Sequence, residues 1–102
     1  MAASELHVEI VAPDSQVWSG AASMIRVRTT EGEIGILPGH QPLLAVLGAG
    51  ELVVAAAGGA REHFHADGGF LSVEGDGGRV IVVADNCTRT EAPAAGPVSV
   101  AS

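Results

Sequence analysis

Apolar and polar residues alternate along much of this chain with a period of two. In "LHVEIVA" Leu6, Val8 and Ile10 point one way while His7 and Glu9 point the other; in "MIRVRTT" Ile25 and Val27 oppose Arg26 and Arg28. Successive side chains of a strand leave opposite faces, so each run predicts a half-buried antiparallel strand. "ELVVAAA" and "RVIVVAD" are instead continuous apolar runs rich in valine. Such runs fit strands covered on both faces, or strands with one face reserved for a partner. The turn signals "APDS", "TEGE", "LPGHQP", "GAGE", "AGGA", "DGG" and "GDGG" recur about every ten residues, the spacing of an all-β sandwich or barrel. Gly58-Gly59 predicts one hairpin, and "EGDGGR" predicts another, with Gly77 and Gly78 free to take positive φ. No stretch makes a convincing amphipathic helix; the nearest, "PLLAVL", is too short and runs into "GAG".

At 102 residues the chain is the size of one domain, and 47% apolar residues supply one core. Five basic residues, all Arg, against twelve acidic ones give a net charge of −7. That balance argues against binding nucleic acid through phosphates and against an anionic membrane surface. The lone Cys87 cannot build an internal disulfide framework, which fits a reducing compartment, and it reads as a small buried hydrophobe. The N-terminus has no basic region and no long apolar core of a signal peptide, and no window reaches the ~20 apolar residues of a spanning helix. After Arg89 the pattern stops. "TEAPAAGPVSVAS" predicts a flexible tail at 90–102 behind a sandwich at 1–89.

Few residues suggest chemistry. His63 and His65, at i and i+2, leave one face of a strand and can supply two metal ligands, with His40 a possible third; solvent-facing histidines are the alternative. Glu31 and Glu33 flank Gly32 on a turn, without the shaped pocket that acid–base work needs. Ser19, Ser23 and Ser72 lack a nucleophile elbow. "GAGE" and "GDGG" feed no helix, so neither is a phosphate loop. No catalytic residue and no cofactor site emerge. The apolar content exceeds what so small a sandwich needs inside, which predicts an exposed apolar patch, carried by "ELVVAAA" or "RVIVVAD", for contact with another protein.

Three blocks then resemble one family in its order. "LHVEIVAPDSQVWSGAASMIRVRTTEGEIG", "TTEGEIGILPGHQPLLAVLGAGEL" and "DGGFLSVEGDGGRVIVVAD" are similar to the epsilon subunit of bacterial F-type rotary ATP synthases, from about Leu6 to Arg89. The resemblance implies a flattened ten-stranded antiparallel β-sandwich. It implies a non-catalytic member of the central stalk, against the gamma subunit and on the ring of c subunits, that helps couple proton-driven rotation to ATP synthesis. It places the complex at the cytoplasmic face of the bacterial inner membrane, with the chain reaching the membrane only through its partners. Carried over, Pro38, Gly39 and His40 are gamma-side contacts, and Glu31, Gly32 and Glu33 are c-ring contacts. The alternative for His40 is that it merely holds a backbone carbonyl. Pro38 and Pro42 stiffen the loop, and Gly35 and Gly39 permit its turns. Typical members continue into a C-terminal helical hairpin, whose place "TEAPAAGPVSVAS" takes here, too short and too rich in Pro and Gly for two helices.

Overall fold

A computed structural model of the chain describes residues 5–75 and 77–90. Seven strands account for nearly all of them: β1 (Leu6–Ala12), β2 (Ser15–Thr29), β3 (Gly32–Ile36), β4 (Leu43–Val46), β5 (Gly50–Ala56), β6 (Arg61–Glu74) and β7 (Arg79–Thr90). Pairing runs β1-β7-β6-β5-β2-β3, with β4 on β6 and β1 also on β2. The expected tail lies outside the described residues, and β7 continues through Thr90.

Among the described residues the strands number seven where ten were expected, because β2, β6 and β7 bend rather than break. Each serves two layers. Residues 15–22 of β2 pair with β1, whereas residues 25–29 pair with β3. Residues 61–66 of β6 pair with β5 and residues 70–73 with β4. At each bend the inward-facing parity flips. Phe64 and Ala66 face the core before the bend in β6, and Leu71 and Val73 after it; Val80, Val82 and Ala84 face it in β7, then Cys87. "DGG", read from sequence as a link between strands, is this bend. Gly68 and Gly69 sit there at φ 78° and 103°, and the β6–β7 ladder leaves out the Gly68–Asp85 pair while holding its register from Asp67↔Asn86 to Gly69↔Ala84. A Cβ on Gly69 would lie 1.9 Å from the Val83 carbonyl oxygen. Only glycine fits so close a backbone approach.

The sheet is also not wholly antiparallel: β1 and β7 run parallel, His7 opposite Arg79 through Val11 opposite Val83. They come from the two ends of the domain, so no hairpin dictates their direction. One layer is therefore β4–β6–β7–β1–β2 and the other β3–β2–β5–β6–β7, with Leu6, Ile10, Ile25, Leu52, Phe64 and Leu71 among the fully buried side chains between them. Each such side chain contributes roughly 1.5–3 kcal/mol by leaving water. "PLLAVL" gives no helix; Leu43–Val46 is strand β4. Gly35 lies within β3 without positive φ, and in the 75–78 turn Gly75 and Gly77, not Gly78, take it.

Candidate docking surface

The loop that carries Pro38, Gly39 and His40 joins β3 to β4. His40 N–H donates to the Leu37 carbonyl at 3.1 Å, closing a tight turn, and Gly39 takes φ 87°. The His40 ring does hold a carbonyl: Nδ1–H donates to the Gln41 oxygen at 2.7 Å. A carbonyl only accepts, so the proton belongs on Nδ1, which leaves Nε2 as the acceptor of the neutral ring. Backbone anchoring and partner contact are thus compatible for this residue.

Glu31, Gly32 and Glu33 belong to the β2–β3 turn. The Thr29 hydroxyl donates to the Gly32 carbonyl at 2.6 Å and accepts from Glu31 N–H at 3.1 Å. Gly32 has φ 124°. Thr30 N–H donates to the Val46 carbonyl at 3.0 Å, which ties the turn to the far end of β4. Glu31 and Glu33 are exposed, and Glu33 lies 3.7 Å from Arg26 Nε. The sequence runs the two motifs together, but β3 carries the chain away from the Glu31 turn and β4 brings it back. His40 and Glu31 therefore stand toward opposite ends of β4. Between the edges of β3 and β4 opens a groove of about 400 Å³, lined by Thr29, Thr30, Glu31, Ile34 and residues 43–46.

Beside that groove lie three of the four large apolar side chains that stand exposed among the described residues. Leu44 is 70% exposed, Val46 59% and Phe70 44%. Cross-strand register lines up Val46, Phe70, Val83 and Val11 across β4, β6, β7 and β1, and next to them Leu44, Ser72, Ile81 and Glu9. Ile81 and Val83 are half-buried, so "RVIVVAD" does turn apolar side chains outward. The larger share of the patch comes from β4 and Phe70, which sequence reasoning missed. Its border is charged, with Glu9 3.5 Å from Arg79 and 3.6 Å from His7.

The outer face of the other layer differs. Glu33, Arg26 and Glu51 form a chain of ion pairs, with Arg26 4.0 Å from Glu51, and a hydrogen bond of 3.1 Å from His63 Nδ1 to Glu51 extends it. Val53, in register between Arg26 and His63, is 1% exposed beneath it. Here "ELVVAAA" shows water little but charge. His63 is thus engaged by a carboxylate, and among the described residues no group of three or more His, Cys, Asp or Glu could hold a metal ion. Nothing supports the metal-binding alternative for His63 and His65. Cys87 packs against the core, and burial raises its pKa. A raised pKa lowers the thiolate fraction at neutral pH, so alkylation of the folded protein by iodoacetamide is expected to run at least about tenfold slower than in denaturant. Equal rates in the two states would contradict that burial.

A sandwich with one outer face of exposed apolar side chains and one of paired charges is built as a docking domain. The comparisons agree on which. Residues 5–90 match the family model "ATP synthase, Delta/Epsilon chain, beta-sandwich domain", and the chain belongs to that family. It is 51% identical over 92 residues to the ATP synthase epsilon chain of Micrococcus luteus, covering 90% of this chain and 99% of that one. To the epsilon chain of Streptomyces avermitilis it is 51% identical over 70 residues, covering 69% of this chain and 56% of the other. It thus spans nearly all of the first relative and little more than half of the second. Among solved structures, a chain of the Euglena gracilis mitochondrial ATP synthase, OSCP/F1/c-ring, superposes with a TM-score of 0.81 at 27% identity, covering 87% of this chain and 56% of that one. A non-catalytic subunit of a membrane-associated bacterial complex is the role that membership gives.

Proposed function

We propose that this chain is the epsilon subunit of an F-type ATP synthase central stalk, at the cytoplasmic face of the membrane, docked on the gamma subunit and resting on the c ring so that the stalk turns as one body. The observation that carries the reading is the asymmetry of the two outer faces. Leu44, Val46 and Phe70 leave apolar surface in water that burial against a partner would remove, at roughly 25 cal/mol per Å² before the costs of association. The charged face already satisfies itself. In this reading the β4–β6–β7 face and the Pro38-Gly39-His40 loop meet gamma, and Glu31, Gly32 and Glu33 meet polar loops of the c ring. A loop fixed before docking loses less entropy on binding, and a stiff contact passes torque without yielding. Purification of the tagged chain from its own cells tests the assignment: gamma should accompany it in equal amount, and its absence under conditions that keep the catalytic subunits together would count against the stalk position.

Glu33→Lys is expected to separate coupling from folding. The Arg26–Glu33 pair is half exposed on both sides, so its loss should cost no more than about 1 kcal/mol. A reversed charge at a ring contact changes docking much more. The melting temperature should move little while ATP-driven proton pumping in reconstituted membranes falls by about half or more. Unchanged pumping would remove Glu33 from the contacts.

A further inference from the structure

The loop bearing His40 is held from outside itself. Gly39 N–H donates to the Gly77 carbonyl at 3.0 Å. Gly77, at φ 89°, comes so close that a Cβ there would lie 2.4 Å from the His40 carbonyl oxygen and 2.5 Å from both the Gly39 carbonyl carbon and the His40 nitrogen. All three atoms are backbone, so no side-chain rotation could relieve the contact. The supporting turn is itself tied down: Gly77 N–H donates to the Glu74 carbonyl at 3.2 Å, and His7 N–H donates to the Gly78 carbonyl at 2.8 Å. Pro38 and Pro42 each fix one φ, which limits the loop's shape but not its place against the sandwich.

We infer that Gly77 is a positioning residue for the His40 loop: through this backbone brace the β6–β7 turn sets where the loop meets the gamma subunit. The inference rests on the docking reading above. Gly75 supplies an internal control. It also has positive φ, 67°, but a Cβ on it would meet nothing within 4 Å. Alanine at either position strains the same turn, and only alanine at 77 drives into the loop.

Two measurements test this. In the unaltered protein, amide exchange read by NMR should show Gly39 protected at least about tenfold relative to an unstructured peptide. Gly77→Ala should abolish that protection and weaken gamma binding about tenfold, with Gly75→Ala within about twofold of the parent. Because Gly77 acts through the loop, Gly77→Ala combined with His40→Ala should weaken binding little more than the stronger single change, whereas independent effects would add. Exchange of Gly39 at the unstructured rate would overturn the brace even if Gly77→Ala does not fold. Equal losses from Gly75→Ala and Gly77→Ala, or additivity with His40→Ala, would overturn the positioning role. A parent protein that fails to bind gamma would contradict the docking reading, while the Gly39 exchange would still decide the brace.

Discussion

Leu44→Asp is expected to cut affinity for the gamma subunit about 100-fold while leaving the domain folded, since ~2.8 kcal/mol is a hundredfold in binding. Leu44 is 70% exposed on a strand with only four residues, so the isolated domain loses almost no burial when it is replaced. A surface substitution of this kind moves stability by about 0.5 kcal/mol or less. In the complex the same carboxylate would be desolvated among Val46, Phe70 and whatever gamma sets against them, with no basic residue in its own cross-strand row of Ser72, Ile81 and Glu9. Burying an unpaired charge is costly enough to dominate the interface. Calorimetry of binding together with a melting curve separates the two effects. A variant that binds gamma normally would show that the β4 face is free in the assembled stalk.

Gly69→Ala should have the largest effect on folding. The residue sits at φ 103°, and a Cβ would lie 1.9 Å from the Val83 carbonyl oxygen and 2.8 Å from the Ala84 Cα, both backbone atoms of the paired strand. Relief requires β6 and β7 to separate at the bend where both cross between layers. The cost of an unsuitable residue in a positive-φ site adds to the loss of ladder hydrogen bonds, for a total of about 3 kcal/mol or more. Gly35→Ala is the matched comparison, with ordinary φ and nothing within 4 Å, and should leave stability within about 0.5 kcal/mol. Denaturant unfolding of the two variants checks this. A mild Gly69→Ala would mean that the bend is not held by backbone contact.

The strands were legible because alternation is enforced by burial of one face, as in Leu6, Val8 and Ile10. The bends were not. At Gly68-Gly69 the inward parity passes from Phe64 and Ala66 to Leu71 and Val73, so a local reading sees two runs with a turn between them where one strand crosses from layer to layer. β4 was missed as a strand because four residues carry too little pattern, and two of them are apolar yet exposed. That outward display has no signature in a window that shares its composition with a core strand. The site fared similarly. His40 and Glu31 were visible as members of a motif, but their separation along β4 follows from pairing with β6. The Gly39–Gly77 contact joins segments that no local spacing relates. Gly77 could be suspected only as one glycine among several in "EGDGGR".

The account stands most directly on which face of the sandwich gamma covers. Side-chain footprinting by a photoactivated carbene, read by mass spectrometry on the chain alone and in complex with gamma, measures it. Labelling of Leu44, Val46 and Phe70 should drop several-fold on complex formation, while Arg26, Glu51 and His63 keep theirs. Protection of the Arg26–Glu51–His63 face with Leu44, Val46 and Phe70 still labelled would contradict the account.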